Sequence, residues 1–452
     1  MSALTVIFWF QRRYVSAILY AYWSSLLLIS SFSVTWAQSK LPENVQIHIS
    51  GQEPLGYAPC EPSIAIDPTN ADRIVAGAVL DYVYVSDDAG KSWSRDRLNS
   101  KLGVFGDPCI VAGPQGDFYY AHLSDPAGEG WKSDALLDRI VVQHSKPGKS
   151  VGQKWSKGSG AGLNGTKDQD KEWLAVSPSG DRVAMCWTEF DHYGSEQAGD
   201  STRILCSTTG RKAKKWSDPV MVSAMAGNCL DGDSTVEGAV PVWMDEVTLG
   251  VAWAHGEHIR WNVSEDGGAT FRPYEQYIAD IVGGWDQVIP GIGRANGMPV
   301  TAVARGGVHA GRVYVNWTDQ RNGPFDTDVW LIWSDDQGKT WSEPARVNND
   351  PPGKHQFFTW MAVDPVTGHV HVVFYDRRMS ERTATHVYVA TSKDGGNLFI
   401  NKRVSETAFV PSEEGFFGDY NNISAYGGRV RPIWTRNEQG VQSIWTALME
   451  EH

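Results

Sequence analysis

The sequence predicts an all-β fold in which seven similar four-stranded sheets close into a ring, a seven-bladed β-propeller. Three observations support this prediction: a turn motif recurs along the chain, an inner-strand pattern recurs seven times, and no Pro-, Gly- or Ser-rich linker divides the chain. A length of 452 residues would otherwise suggest several domains. A repeat architecture explains how one ordered domain reaches this length.

The first element is an apolar N-terminal segment that differs from the rest of the chain. Arg12 and Arg13 precede an apolar stretch over residues 15–36, and the small residue Ala37 follows it. This pattern is typical of a secretory signal, so we predict a signal peptide over residues 1–37 and one propeller domain over residues 38–452. An uncleaved membrane anchor is the alternative, since the stretch is long enough to span a bilayer. We therefore expect a secreted, periplasmic or cell-surface protein.

The charge of the chain excludes two classes of partner. The formal net charge is −13, and loss of Arg12 and Arg13 with the signal would lower it by two, to about −15. An acidic surface disfavours nucleic-acid backbones and anionic membranes. We expect neither nucleic acid nor, after signal cleavage, a membrane as partner, and we expect a monomer.

The strongest internal signal is a short motif that begins with Ser, contains Asp and Gly, and ends with Trp or Phe. Each clear copy follows a strand-like run, so the motif predicts a turn within a hairpin, in which Asp binds turn amides and Gly supplies a positive φ. Clear copies occupy residues 86–93, 264–271, 334–341 and 392–399, and worn copies occupy residues 145–155 and 207–216.

The second periodicity sets the number of blades. Seven strand-like segments open with a polar residue and then turn apolar, and they begin at Glu61, Asp107, Glu172, Glu237, Asn296, Thr359 and Asp419. Their spacings of 46 to 65 residues leave room for four strands each. The last blade lacks one strand, and residues 44–49 are left over before the first blade, so the N-terminal strand should complete the last blade. Such closure removes the open edge of a sheet.

The turn motif resembles the Asp-box, also called the bacterial neuraminidase repeat, of sialidases and related β-propellers. The resemblance covers nearly the whole mature chain. It implies a sialidase-like glycoside hydrolase as the expected function, and a six-bladed propeller of the sialidase type as the alternative to seven blades.

Strand order predicts where the chemistry lies. In a four-stranded meander, the start of the innermost strand and the loop between strands two and three share one face, whereas the Asp-box turn lies on the other. We therefore interpret the Asp-box residues as scaffold. The first face gathers an unusual density of acids and arginines, which predicts a polar axial funnel.

The acids that start inner strands are the candidate catalytic groups. Glycoside hydrolysis needs two carboxyl groups across the scissile bond, one protonated and one ionised, and aromatic platforms for sugars. The candidate catalytic residues are Asp107, Glu172, Glu237, Asp419 and Tyr420. The candidate substrate-binding residues are Arg321, Arg377, Arg378, Arg436, Asp319, Asp376, His355 and Trp173, and the arginines among them suit a substrate carboxylate or sulfate.

The resemblance to sialidases implies more specific roles. That family uses an arginine triad, a tyrosine nucleophile paired with a glutamate, and an aspartate acid/base. The matches by residue type are Arg321, Arg377 and Arg436 for the triad, Tyr420 or Tyr375 for the nucleophile, and Asp107 for the acid. The family's Arg-Ile-Pro motif on the first inner strand is replaced here by Cys60-Glu61-Pro62.

Other chemistries remain as alternatives. A non-catalytic propeller that binds glycan or protein is one, and a polysaccharide lyase is another. No cofactor is expected; Asn228, Asp231 and Asp233 offer oxygens for a structural calcium ion, and an ordinary polar turn is the competing interpretation. The five cysteines leave at least one unpaired within the chain; Cys186 with Cys206 and Cys60 with Cys109 are conceivable disulfides, and isolated buried thiols are the alternative.

Overall fold

The fold comes from a computed structural model that describes residues 40–51, 53, 57–413 and 415–451. Leu41–His452 forms one compact unit, and the other unit, Met1–Lys40, lies outside the described residues except for Lys40. The predicted signal peptide thus lies outside the described residues and stays a prediction. Among the residues that are described, no helix is long and apolar enough to cross a membrane.

The described residues form strands β1 to β28, numbered in chain order, and one short 3-10 turn, Gly130–Lys132. The strands are β1 Glu43–Ile49, β2 Ser63–Ile66, β3 Ile74–Ala78, β4 Tyr82–Ser86, β5 Ser94–Arg97, β6 Cys109–Ala112, β7 Phe118–Leu123, β8 Ile140–Ser145, β9 Ser159–Ala161, β10 Asp168–Val176, β11 Arg182–Phe190, β12 Thr202–Gly210, β13 Val220–Met221, β14 Glu237–Trp243, β15 Leu249–Ala254, β16 His258–Ser264, β17 Gln276–Asp280, β18 Val300–Val303, β19 Val313–Asp319, β20 Asp328–Ser334, β21 Ala345–Arg346, β22 Gln356–Val363, β23 Val370–Asp376, β24 His386–Ser392, β25 Ile400–Arg403, β26 Asn422–Tyr426, β27 Arg429–Glu438 and β28 Val441–Glu450.

These strands build seven four-stranded antiparallel sheets, which are the blades. Six blades take consecutive strands, starting with β2–β5 and ending with β22–β25, and the seventh has the order β1-β28-β27-β26. The prediction of seven blades is confirmed, and the six-bladed alternative does not apply. The N-terminal strand closes the last blade as predicted, through an antiparallel pairing of β1 with β28.

The blades form a closed ring around the inner strands. The inner strands β2, β6, β10, β14, β18, β22 and β26 each contact the next, and β26 contacts β2. Because every blade is an antiparallel meander, the starts of the inner strands lie on one face of the ring, named here the site face. The turns between the third and fourth strands lie on the opposite face, named here the Asp-box face.

The Asp-box turns repeat the same hydrogen bonds. Ser334 Oγ accepts from the amide of Gly338 at 2.8 Å, and Asp336 accepts from the amide of Thr340 at 2.9 Å. The closing Trp341 packs edge-on against Trp261 of the preceding blade, with ring centroids 5.2 Å apart. Gly338 has φ +78°, and a Cβ there would lie 2.3 Å from the Trp261 indole nitrogen, so glycine is required. These contacts support a scaffold role for the turns.

Among the inner strands that begin later than predicted, the fifth has the largest delay. The pattern placed the start of the fifth inner strand at Asn296, whereas β18 begins at Val300. Asn296 instead forms an isolated bridge with Asp286, and its amide nitrogen donates to the backbone carbonyl of Asp419 at 3.0 Å. The long loop over residues 281–299 therefore contributes to the site face.

All five cysteines are buried free thiols. Cys186 and Cys206 lie opposite each other on β11 and β12, but neither disulfide considered from the sequence is formed. The alternative of isolated thiols is the one that the structure contains.

Candidate functional site

The inner strands open with bulges that turn charged side chains towards the axis. Glu61 and Asp107 have φ +49° and Lys171 has φ +54°, although none of them is glycine. In β10 the pairing register shifts between Asp170 and Trp173, so Lys171 sits within a β-bulge. Non-glycine residues in this backbone region cost energy and cluster at functional sites. The repeated strain marks the axial opening on the site face as the candidate site.

Asp419 is the centre of a buried ion-pair network. Its carboxylate contacts the ammonium group of Lys171 and accepts from Arg294 Nε at 2.7 Å. The same guanidinium donates through Nη1 to Asp231 at 2.5 Å. The amide of Asp419 donates to Glu61 Oε1 at 3.0 Å. Residues from blades that are distant in sequence thus meet at one point on the axis.

The network fixes the charges of its members. Burial alone would raise the pKa of Asp419, but Arg294 and Lys171 hold it well below its usual range. Burial opposes the charge of Lys171 as well, yet Asp419 raises its pKa well above the ordinary value. Burial also opposes the charge of Arg294, but the nearby Asp419 carboxylate outweighs it and raises the pKa of Arg294. The centre therefore holds one ionised carboxylate between two cations.

Other carboxyl groups around this centre hold their protons more tightly. Burial, and next the charge of Asp107, raises the pKa of Glu172 well above its ordinary value. Burial, and next the charge of Asp231, does the same for Glu237. Neither oxygen of Glu172 or of Glu237 has a hydrogen-bond partner among the described residues. In both carboxyl groups, burial therefore favours the protonated form.

The pKa values of Asp107 and Asp170 are raised, but the cation Lys171 opposes the rise in both. Burial raises the pKa of Asp107, although Lys171, whose Nζ lies 3.9 Å from its carboxylate, opposes the rise. Burial and the charge of Asp107 raise the pKa of Asp170 to about 7. The Asp107 side chain is 15% exposed, so water reaches this part of the cluster. The site therefore combines one carboxyl group whose pKa is lowered, Asp419, with several whose pKa is raised.

Aromatic rings border the cluster on one side. Tyr193 donates from its hydroxyl to Asp231 at 2.6 Å, and its ring centroid lies 5.9 Å from that of Trp131. Trp131 contacts Phe105 edge-on at 5.8 Å, and Phe105 contacts Tyr57 at 6.2 Å. Trp131 is 64% exposed. The row Tyr57, Phe105, Trp131 and Tyr193, named here the aromatic rim, places edge-on and tilted aromatic rings next to the charges.

A second aromatic group packs along the axis. The Trp173 centroid lies 4.2 Å from that of Trp360 and 5.0 Å from that of Tyr420. The Tyr420 hydroxyl donates to the backbone carbonyl of Pro108 at 3.3 Å, and burial raises the pKa of Tyr420 well above its ordinary value. Trp173 and Trp360 also line an axial cavity of about 730 Å³ whose other walls are mostly apolar residues of the inner strands. Trp173 and Tyr420 therefore lie with the predicted cluster, as packed rings.

The structure brings together all five of the predicted catalytic residues. Asp107 and Asp419 both contact Lys171, and the charge of Asp107 acts on Glu172 and Tyr420. Glu237 is linked to the same cluster through Asp231, whose charge raises the pKa of Glu237. The loops and bulges of several blades thus place these five side chains around one axial opening, as the strand-order argument predicts.

Two of the predicted substrate-binding arginines lie instead in ion pairs within their own blades. Arg321 binds Asp319 at 2.5 Å and covers the Trp330 ring at 4.2 Å. Arg378 binds Asp376 at 2.7 Å. Asp319 and Asp376 are the last residues of β19 and β23, the second strands of their blades. Each arginine comes two residues after its acid, so its side chain can fold back onto that carboxylate. Among the described residues, the side chain of Asp419 contacts Lys171 and Arg294 and neither of these pairs.

Arg377, Arg436 and His355 also lie apart from the network. Arg377 is buried; it donates to Thr385 Oγ1 at 3.1 Å and to the carbonyl of Pro290 at 2.6 Å, and burial lowers its pKa to about 10. Arg436 binds Glu438 at 2.5 Å. His355 Nδ1 lies 3.0 Å from Thr327 Oγ1, and burial lowers its pKa to about 4. An arginine triad from these side chains is not assembled around Asp419.

Sequence reasoning missed Arg294, the arginine that does reach the centre. It lies in the loop that leads into β18; its side chain is 35% exposed, and its guanidinium lies 5.7 Å from the Phe416 ring centroid. Tyr193 follows β11, Trp131 follows β7, and Asp231 precedes β14. Loops that lead into an inner strand and loops that follow a second strand both lie on the site face. An arginine or aromatic residue in such a loop is therefore the sequence signal that could have identified these side chains.

The candidate calcium ligands serve other contacts. Asp231 binds Arg294 and Tyr193, Asn228 Oδ1 accepts from Thr235 Oγ1 at 2.9 Å, and Asp233 Oδ1 accepts from the amide of Asp286 at 2.9 Å. Within the described part of the chain, no group of three or more His, Cys, Asp or Glu side chains is arranged to hold a metal ion. The polar-turn interpretation fits these contacts.

Known structures resemble this chain at low identity. A protein of unknown function from Dyadobacter fermentans is 13% identical, with 91% of this chain and 99% of that chain covered and a TM-score of 0.49. An alpha-L-arabinanase from Penicillium chrysogenum, complexed with arabinobiose, is 15% identical over 77% of this chain and 98% of its own, with a TM-score of 0.48. A Trypanosoma rangeli sialidase in complex with sialic acid is 12% identical, with 90% of this chain and 59% of that chain covered and a TM-score of 0.47. Likeness at this distance carries no information about activity.

A family model gives the firmer assignment. No curated protein matches the chain. The BNR repeat-like domain matches residues 182–415, which is just over half of the chain. The recurring Asp-box turns and the closed ring of blades agree with this match. The protein therefore belongs to the BNR repeat-like family, and its fold is an Asp-box β-propeller.

Proposed function

We propose that this protein is a secreted, periplasmic or cell-surface glycoside hydrolase of the sialidase-like type that acts on a complex or acidic glycan at the axial cluster. The observation that carries the proposal is the set of carboxyl groups with different proton affinities around Lys171 and Arg294. Pairs of acids whose environments separate their pKa values are the usual signature of acid and base roles. Family membership supports the glycan as substrate class.

Asp170 is the candidate general acid. Its pKa of about 7 leaves it partly protonated at neutral pH, which is the condition under which a carboxyl group can deliver a proton to a leaving oxygen. Asp107 is the candidate partner, as base or nucleophile, because its side chain is accessible to water and its proton affinity is raised. Glu172 and Glu237 are buried beside this pair, and burial raises the pKa of both.

Arg294 is the candidate anchor for an acidic substrate. Its guanidinium is partly exposed, and Asp419 and Asp231 hold it in place. A guanidinium has more N–H donors than these contacts use, and it recognises carboxylate or sulfate through paired hydrogen bonds. The aromatic rim beside it provides the ring faces on which sugars stack. A glycan lying across Trp131 and Arg294 would thus reach Asp107 and Asp170.

A non-catalytic glycan- or protein-binding propeller is the second candidate. One observation favours it: the Asp419 carboxylate and the Tyr420 hydroxyl are both occupied by contacts within the protein. In that case the same rim and Arg294 would bind a ligand without cleaving it.

Turnover of a glycan panel separates these functions. The purified protein is incubated with sialylated, uronate-containing and neutral glycans, together with Asp107→Asn, Asp170→Asn and the control Asp218→Asn. Asp218 is exposed and follows the worn Asp-box turn of the third blade. We expect hydrolysis by the unaltered protein and the control, and a loss of about 100-fold or more in both site variants. Binding without turnover would assign the binding function, and an unsaturated product that absorbs ultraviolet light would indicate a lyase.

A further inference from the structure

Two worn Asp-box turns, in the second and third blades, change the charge of the motif, and the second-blade turn keeps the motif's hydrogen bonds. In the second blade, the amide of Gly152 donates to Ser145 Oγ at 2.8 Å, and Trp155 Nε1 donates to the carbonyl of Gly152 at 2.8 Å. The intact first-blade turn has the same two bonds, from Gly90 to Ser86 at 2.8 Å and from Trp93 to Gly90 at 2.9 Å. The worn turn thus keeps its scaffold contacts.

The aspartate of the intact motif is absent from both worn turns. Asp88 accepts from the amide and the hydroxyl of Ser92 in the first blade. Residues 145–158 and 207–216 contain no acid and carry several lysines instead. Because the second-blade turn keeps the motif's hydrogen bonds without the acid, those bonds do not account for its lysines.

The lysines of the two turns line one concavity on the Asp-box face. This concavity, named here the lysine pocket, has a volume of about 780 Å³, and His144 and Trp155 form part of its wall. Its lysines are Lys146, Lys149, Lys154, Lys212 and Lys214. All five are exposed, and none forms an ion pair with a described residue.

The neighbouring cationic groups behave differently. Arg211 binds the buried carboxylate of Asp117 at 2.6 Å, and His144 Nε2 lies 2.6 Å from the same carboxylate. Arg211 is therefore neutralised by Asp117, whereas the five lysine ammonium groups have no carboxylate partner among the described residues. Like charges gathered in one concavity repel each other, so their gathering favours an anionic ligand that would offset the repulsion.

We propose that the lysine pocket binds a segment of a carboxylated or sulfated polysaccharide. Amines on flexible stems suit repeated anionic groups along a chain, and the volume lies within the range of sites for small ligands. The net charge of −13 disfavours a nucleic-acid duplex, which would contact the acidic surface beyond the pocket. The pocket lies on the face opposite the axial cluster, so it can hold a polymer without occupying the opening on the site face. This site does not depend on the proposed catalytic function.

Binding to polyanions of defined chemistry tests the proposal. Heparin serves as the sulfated probe, polygalacturonate as the carboxylated probe, dextran as the neutral control and a DNA duplex as the phosphate probe. The test variant carries Lys149→Gln, Lys212→Gln and Lys214→Gln. The matched control carries Lys91→Gln, Lys101→Gln and Lys339→Gln, three exposed lysines elsewhere, of which Lys91 and Lys339 lie in intact Asp-box turns.

We expect the full chain to bind heparin or polygalacturonate and not dextran, with affinity falling as salt increases. The test variant should lose at least about tenfold in affinity and about two to three in the slope of log affinity against log salt, while the control variant keeps both. Turnover of a small glycan at the axial cluster should stay unchanged in the test variant, which separates the two sites. Equal losses in both variants, no binding to either acidic polysaccharide, or tighter binding to DNA would overturn the proposal.

Discussion

The ammonium group of Lys171 contacts the carboxylate of Asp419 at the buried centre of the ring, although 248 residues separate them in sequence. Lys171 belongs to the third blade and Asp419 precedes the inner strand of the seventh. Only a closed ring brings these two blades to one axis. The pair therefore links the closure of the propeller to the chemistry of its axial opening.

Replacing Asp419 by Asn should strongly destabilise the fold. The change leaves Lys171 and Arg294 without the carboxylate that both contact, and breaking a buried ion pair in this way costs about 3 to 5 kcal/mol. Because the pKa of Asp419 is depressed in the folded state, its contribution is complete above the unfolded pKa and is lost as the pH falls through the folded pKa. Denaturant unfolding should show a penalty that shrinks below about pH 4. A penalty within the range of Asp218→Asn would contradict the buried pairing.

Replacing Glu172 by Gln should stabilise the protein increasingly as the pH rises. The folded pKa of Glu172 lies above the unfolded value, so the contribution of this group is complete below the unfolded pKa and is lost as the pH rises towards the folded pKa. Gln cannot ionise and keeps the neutral form. Unfolding free energies of both proteins, measured between about pH 5 and about pH 9, should diverge in favour of the variant. Parallel curves would mean that Glu172 ionises freely in the folded protein.

The titration of Asp170 should depend on Asp107. The charge of Asp107 is the second cause, after burial, of the raised pKa of Asp170. In the Asp107→Asn variant, the carboxyl signal of Asp170, followed by isotope-edited infrared or NMR spectroscopy, should titrate at lower pH than the value of about 7 in the unaltered protein. Asp218→Asn should leave the titration in place. An unmoved titration in Asp107→Asn would show that the two carboxyls do not interact.

Replacing Asp336 by Ala should weaken the fold without affecting the axial site. Asp336 accepts hydrogen bonds from the amides of Lys339 and Thr340 in the fifth-blade turn, and loss of bonds to a charged acceptor costs about 1 to 3 kcal/mol. The turn lies on the Asp-box face, so ligand binding or turnover at the axial cluster should be retained. Loss of activity in a folded Asp336→Ala variant would contradict the scaffold interpretation.

The sequence was sufficient to predict the ring because its signals are local and repeated. The serine, glycine and closing aromatic of each Asp-box turn have short-range contacts, such as the 2.8 Å bond from Gly338 to Ser334. The recurring pattern of a polar residue followed by apolar residues placed the inner strands. Strand order then placed Asp107, Glu172, Glu237 and Asp419 on one face. Each of these inferences needs only the neighbouring residues and the order of strands in a four-stranded meander.

The remainder of the site could not be predicted because it depends on loops. Arg294 reaches Asp419 from the 281–299 loop, across a separation of 125 residues, and loop conformation has no periodic signal. Conversely, Arg321 and Arg378 were expected at the axis, but a carboxylate two residues earlier in each sequence binds them locally. Local pairing of charges thus overrides the position that strand order suggests.

The most direct test of the central claim is a crystal structure of the Asp170→Asn variant with oligosaccharides from the glycan panel. If the axial cluster is the site of action, electron density for a sugar should lie against Trp131 and Tyr193, with an anionic or hydroxyl group within hydrogen-bond distance of Arg294. A sugar bound elsewhere, with none at the axial opening, would contradict the assignment of the site.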